Sequence, residues 1–174
     1  GQQGQTVPVL NPYANGNAWF VKNVQYVNNA NEEIDALKTI LPTETAIVDT
    51  RFKDVLKGTA EAYKDSLSSI RLTSYEPNRL VYETDNAGDG IAVFSEIYYP
   101  DGWQVTIDGQ PAELGRADYV LRTLYVPAGK HTIEMRFDPK SLHVTESIAY
   151  GALALLVIGV AAVVLIARKK AAQD

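Results

Sequence analysis

At 174 residues, with a hydrophobic share of 46%, the chain has room for one domain of ordinary size with a real core. Its formal charge of -5 leaves no basic stripe to neutralise phosphates, which excludes nucleic acid as a partner. There is no Cys, so disulfides, thiolate metal sites and Cys nucleophiles are ruled out, and only two His are present, His131 and His143, too few for a His-rich metal site.

Gly1 stands where an initiator Met would, and "GQQGQ" lacks the basic, apolar and small-residue regions of a signal peptide. We read the chain as a piece of something longer, with residues 1–17 a linker or N-terminal extension. Pro, Asn and Gly punctuation then gives way to a predicted strand from Ala18 to Val27, with Trp19, Val21 and Val24 as apolar points. In "NNANEEIDALKTILP", Asn29 followed three residues later by Glu32 approximates a capping box. Ile34, Leu37 and Leu41 share one helical face and Pro42 stops the helix, so a short amphipathic helix packed by that face is expected.

"TAIVDT" reads as a strand, and "RFKDVLKG" as a brief helical or irregular connection ending on Gly58. From Ser66 the period is two: Ile70 and Leu72 before "YEPNR", Leu80 and Tyr82 after it, a hairpin with Pro77 at the second position of a type I turn. "IAVFSEIYYP" is apolar nearly throughout, as in a strand covered on both faces. In "WQVTID", Trp103, Val105 and Ile107 share one face, and Asp108-Gly109 favours a type I′ turn. "YVLRTLYVPAGKHTIEMRF" is read as a further strand pair joined at Pro127 to Gly129, with Ile133, Met135 and Phe137 facing in. Regular short strands with one helical insertion predict a mainly β fold, a β-sandwich of jelly-roll or Ig-like kind over residues 18–139.

Residues 140–147 are expected as a juxtamembrane link. From Ile148 to Ala167 the run "IAYGALALLVIGVAAVVLIA" carries no charge and is followed by "RKK". As a helix it is about 30 Å long, the thickness of a bilayer's hydrocarbon core, and the β-rich remainder is too small to bury it on all sides. We expect one transmembrane helix with the lipid bilayer as its partner, Tyr150 at an interface and Arg168, Lys169 and Lys170 at the other end. By the positive-inside rule, residues 168–174 form a cytoplasmic tail and the β-domain lies outside.

Candidate chemistry is sparse. Asp85, Asp89, Gly90 and Glu96 have EF-hand-like spacing, but Ala87 takes the third position and the flanks read as strands, so a solvated turn is favoured over calcium. Asp49, Asp54, Glu61 and Asp65 are as well explained by surface charge as by a glycosidase carboxylate pair. Nucleophile-elbow, P-loop and zincin motifs are absent. His131 reads as a rim histidine hydrogen-bonded to backbone, with no adjacent partner to make it a catalytic base. Tyr98, Tyr99, Trp103, Tyr119 and Tyr125 make the aromatic case for sugar stacking. Trp103 is favoured as core, Tyr98 and Tyr99 point to opposite sides so that at most one joins it, and these three are kept as candidate glycan contacts. No catalytic residue, metal site or cofactor is predicted.

"GNAWFVKNVQYVNNANEEIDAL", "YYPDGWQVTIDGQPAEL" and "LRTLYVPAGKHTIEMRFDP", followed by a terminal membrane helix, together resemble the C-terminal part of the YfhO family of bacterial multi-spanning membrane proteins, across nearly the whole chain. The resemblance implies a large protein similar to GT-C-class glycosyltransferases, which use polyprenyl-phosphate sugars outside the cytoplasmic membrane, and a role in glycosylating cell-envelope polymers. In that class the catalytic carboxylate lies between early membrane helices, so none is carried onto this chain. The matching positions Trp103, Asp108, Gly109, Pro127, Gly129 and His131 mark turns and packing. The expected function is an extracytoplasmic domain that supports the membrane active site or holds a glycan acceptor. The rival expectation is a membrane-anchored glycan-binding or protein-interaction module without catalysis.

Overall fold

The computed structural model describes residues 14–171; most of the expected N-terminal extension and the last residues of the expected tail lie outside that range. The strand expected at Ala18 to Val27 is broken at Lys22 into β1 (Ala18–Val21) and β2 (Asn23–Val27). At the break the amides of Lys22 and Asn23 both donate to the Glu44 carbonyl, which turns the chain out of one ladder and into another. Then follow α1 (Ala30–Leu37), β3 (Thr45–Asp49) and a 3-10 turn at Thr50–Phe52. β4 (Ser69–Glu76) and β5 (Arg79–Asn86) form the expected hairpin around Pro77. β6 (Gly90–Ile97), β7 (Trp103–Ile107), β8 (Gln110–Ala112), β9 (Gly115–Ala117), β10 (Leu121–Val126), β11 (Gly129–Phe137) and α2 (Lys140–Ala171) complete the order.

The strands make two sheets, β1-β6-β10-β9-β3-β2 and β4-β5-β11-β7-β8. They face one another over a core that includes Phe20, Tyr82, Phe94, Leu124, Ile133 and Met135, so the sandwich expectation holds. β2 and β3 run parallel, with α1 as the crossover that a parallel pair requires. β1 and β2 lie at opposite ends of the six-stranded order, yet only Lys22 separates them. The sheet is therefore curled until its first and last strands meet. The concave side holds a second core of Val21, Val24, Val48, Ile91 and Val93, plugged by Leu56 with Phe52 packed against it. β6 serves both cores: Ala92 and Phe94 enter one, Ile91 and Val93 the other, which is why its sequence is apolar throughout.

Two expectations are corrected. The strands on either side of Pro127 to Gly129 do not pair: β10 lies between β6 and β9, and β11 lies between β5 and β7. The connection is a corner between sheets, held by Asp89, which accepts from the Ala128 amide (2.9 Å) and the Tyr125 hydroxyl. α1 also presents a different face. Asn29 caps it as expected, accepting from Asn31 and Glu32 amides, and Glu32 reaches back to the Asn28 amide. However, Ile34 and Leu41 are 41% and 69% exposed, whereas Glu33 is fully buried. The inward stripe is Glu33, Leu37 and Ile40, because the Glu33 carboxylate accepts from Arg116 Nη2 (2.7 Å) and the Tyr119 amide (2.8 Å) beneath the helix.

α2 includes residues 140–147 as its first turns, and Val144–Leu165 is long and apolar enough to cross a membrane, with none of it buried against the sheets. The registers bring Glu76, Ile97, Trp103, Leu121 and Phe137 to the same end of the sandwich, the end from which α2 departs.

Because removing one partner of a buried ion pair strands the other, Glu33→Ala is expected to lower the unfolding free energy by about 3–5 kcal/mol, near the low end since Arg116 keeps some water contact. Ile34→Ala and Leu41→Ala should each stay within about 0.5 kcal/mol, as expected of surface positions. Denaturant titration followed by the fluorescence of Trp19 and Trp103 checks both statements.

Candidate functional site

The loop after β6 carries the aromatic residues singled out in the sequence. Tyr98 and Tyr99 leave the strand end in opposite directions. The Tyr98 ring meets Phe52 edge-on at 5.4 Å, whereas the Tyr99 ring lies 6.5 Å from Phe137, itself 5.4 Å from Trp103. Tyr99 is therefore the tyrosine that joins Trp103. Between them Gly102 has φ +130°, and a side chain there would meet the Phe137 ring at 2.7 Å, so the turn tolerates only glycine. Trp103 packs against the core, and the Arg122 guanidinium lies over its ring at 4.0 Å. Arg122 is almost fully buried, donates from Nε to the Ile97 carbonyl (3.0 Å), and has its pKa pulled below the ordinary value by burial. One face of Trp103 is thus occupied from within, while Tyr99 remains 51% exposed.

Three open clefts surround this loop. The largest, about 730 Å³, is lined by Tyr99, Trp103 and Phe137 together with Asp138 and Pro139, which lead into α2, and Ser141 of its first turn. A second, about 410 Å³, lies against β8 and includes Tyr98, Tyr99, Trp103 and Leu114. A third, about 640 Å³, joins Tyr98 to Phe52, Arg51, Arg116 and Tyr119. Tyr125 lies apart from all of these, at the Asp89 corner under the ammonium of Lys57.

His131 belongs to the far end of the sandwich. Its Nδ1 lies 2.6 Å from Asp108 Oδ2 and its Nε2 3.1 Å from the Ala128 carbonyl, while Asp108 Oδ1 accepts from the Thr132 amide (2.8 Å). The hydrogen bond to Asp108 raises the His131 pKa above its ordinary value and lowers that of Asp108. With acceptors at both nitrogens the geometry suits an imidazolium that donates twice, and neither nitrogen faces open space as a catalytic base would. The backbone bond expected of His131 is present; its carboxylate partner is 23 residues away in sequence and gave no local signal.

The other carboxylates do not converge. Asp49 caps the 3-10 turn, and Asp65 accepts from Tyr63, Leu67 and Ser68. Asp85 pairs with Lys130 at 3.0 Å on one sheet and Glu96 stands on the other. Among the described residues no group of three His, Asp or Glu is placed to hold a metal.

A buried charge cluster at the β9–β10 turn escaped the sequence reading altogether. Asp118 and Tyr119 both have positive φ (51° and 71°), and Asp118 Oδ1 accepts from the Ile47 amide at 2.8 Å. Burial pushes the Asp118 pKa up to about 6; the Ile47 amide opposes that and the nearby Glu33 charge adds to it. Its Oδ2 and Arg116 Nε are both buried without a protein partner.

Comparison with known families now bears on this arrangement: the family model for the bacterial membrane protein YfhO matches residues 42–149. The chain belongs to the YfhO family. No curated protein and no solved structure matches it. The matched stretch runs from the approach to β3 into α2 and contains the aromatic loop and its clefts; β1, β2 and α1, within one of the blocks that suggested the resemblance, precede it. In this YfhO chain the "W-x-V-x-I-D-G" and "P-A-G-x-H-x-I" blocks are bonded to each other, through Asp108 to His131 and Thr132. They staple β7 to β11 at the end remote from α2.

Folding raises Asp118 from 3.8 to about 6, so the folded state holds its proton more tightly than the unfolded one. Its stabilising contribution is full below about pH 4 and is lost as pH rises through 6. Asp118→Asn, which keeps an acceptor for Ile47 and suits a left-handed φ, is expected to leave stability unchanged at pH 4 and raise it by up to about 3 kcal/mol at pH 7. Unfolding titrations at the two pH values measure the difference. For His131 the sign is also that of a raised group: its contribution is present below 6.5 and lost as pH rises through the higher folded value. An NMR titration of the ring should give a pKa above 6.5 that falls back in Asp108→Asn.

Proposed function

We propose that this chain is the extracytoplasmic β-sandwich and last membrane helix of a YfhO protein that works in cell-envelope glycosylation with polyprenyl-phosphate sugar donors. In that setting its task is to hold the glycan acceptor beside the membrane-embedded active site. We assign it no catalytic residue. The observation that carries the reading is the cleft shared by Tyr99, Trp103, Phe137 and the first turn of α2. Its exposed aromatic face suits the apolar CH side of a pyranose, and Asp101, Gln104 and Asp138 on the same cleft offer polar groups to sugar hydroxyls. A glycan bound there lies at the level where the helix enters the bilayer, which is where a lipid-linked donor presents its sugar.

The roles within the cleft are unequal. Tyr99 is the contact, because its ring is half exposed and meets Phe137 in a loose tilted approach. Trp103 is frame with one edge toward the cleft, and Tyr98 faces the neighbouring cleft instead. The basic end of α2, with Arg168 and Lys169, supports a cytoplasmic position for that end and an outside position for the sandwich.

In cells that make the full-length protein, Tyr99→Ala is expected to lower glycosylation of the envelope polymer about three- to tenfold at unchanged protein level, the loss of one stacking interaction. Trp103→Ala should instead reduce the protein itself, through a destabilisation of about 3–5 kcal/mol. Analysis of envelope glycans alongside immunoblotting separates the two; normal glycosylation in Tyr99→Ala at normal abundance would sink the proposal.

A further inference from the structure

The strand ends facing α2 carry apolar residues that the sandwich does not cover: Tyr75, Ile97, Tyr99, Tyr119 and Val120 are all exposed there. They are brought together by register. Tyr75 precedes the turn of the β4–β5 hairpin, whose Asn78 carbonyl accepts from Phe137, and the Tyr98 amide donates to the Val120 carbonyl across the β6 and β10 ends. Pro100 borders both the cleft reaching Ser141 and the cleft containing Ile97, Tyr119 and Val120, so the patch is continuous with the first turn of α2.

From this continuity we infer that the end of the sandwich rests on the bilayer surface, with these side chains in the headgroup layer. The apolar span begins at Val144, three residues beyond Ser141, a rise of about 4.5 Å. The headgroup layer of one leaflet is about 5–7 Å thick, which puts Tyr99, lining the same cleft as Ser141, within its reach. Tyrosines with an apolar ring and a polar tip are suited to that layer. Arg51 lines the same surface but is paired with Asp49 (3.7 Å) and lies over the Phe52 ring, and Glu76, Asp101 and Asp138 are there too, so the seating rests on apolar and aromatic contact and not on attraction to anionic lipid. The seating shares Tyr99 and its cleft with the glycan reading but stands on the membrane helix and the exposed strand ends, whether or not a glycan binds there.

The chain contains no Cys, which makes single-cysteine labelling clean. With Ile97→Cys and Val120→Cys carrying an environment-sensitive fluorophore, the full chain in phosphatidylcholine vesicles should show a blue-shifted emission and several-fold weaker iodide quenching than Leu67→Cys. Leu67 is also exposed but precedes Ser68, whose hydroxyl is bonded to Asn86 at the opposite end of the sandwich. The protection should persist in high salt and in vesicles containing phosphatidylglycerol. All labelled positions are on the surface, so the fold is retained, which intrinsic Trp fluorescence verifies. Equal quenching at the three positions would overturn the inference, as would protection that disappears when protein is diluted in lipid, the mark of a second copy covering the patch.

Discussion

The single residue Lys22 sets the shape of the six-stranded sheet. A strand that pairs with β6 on one side of it and with β3 on the other cannot lie in an open, flat sheet, so the sheet must curl until its two edges meet. Curling gives it an inside and an outside, and each needs an apolar covering. The outside is covered by the five-stranded sheet, the inside by the segment from the 3-10 turn to the isolated bridge between Asn23 and Glu61. The segment at 60–62 also covers the edge of β2, where the Val24 amide donates to the Ala60 carbonyl and the Ala62 amide to the Lys22 carbonyl, groups that would otherwise be open to other chains.

The curled sheet leaves the β9–β10 turn tucked under α1, and there the fold uses charge where it might have used apolar contact. Glu33 is fully buried yet satisfied by Arg116 and the Tyr119 amide. A buried pair of this kind is weak evidence for stability but strong evidence for a specific arrangement, since few orientations of α1 satisfy both bonds. Asp118 next to it is imperfectly satisfied, with one oxygen unpartnered and a backbone in the left-handed region. Its raised pKa reports that cost. The turn is thus held in place by its neighbours, and its position next to Tyr119 makes it part of the same surface as the aromatic loop.

What was legible in the sequence follows from the range of the interaction responsible. The Asp108-Gly109 turn, the Pro77 hairpin, the Asn29 cap and the doubly buried β6 are written in neighbouring residues, and all are present. The division of Ala18 to Val27 into two strands depends on the Glu44 carbonyl some twenty residues on, and its local trace is small: the apolar points step from Val21 to Val24, a change of phase at Lys22. Alternation reports which face of a strand is dry but not which strand lies beside it, so β10 and β11 look like a hairpin although they belong to different sheets. The inward face of α1 is misjudged for the same reason: a lone Glu belongs in water, and it is Arg116 and the Tyr119 amide, more than 80 residues later, that make the burial of Glu33 tolerable.

The separation of the two ends of the sandwich bears on how family landmarks relate to function. The residues most easily recognised, Asp108 and His131, are bonded to each other where the strands are farthest from α2, and their chemistry is that of a staple. The exposed Tyr99 and the clefts lie at the other end, beside the helix, on a loop whose geometry depends on Gly102 and the Phe137 ring. A membrane-anchored domain that has to meet a lipid-linked substrate can do so only at the end its anchor holds near the bilayer. The motif therefore identifies the scaffold, and under the function proposed above it is the helix that singles out the end carrying Tyr99.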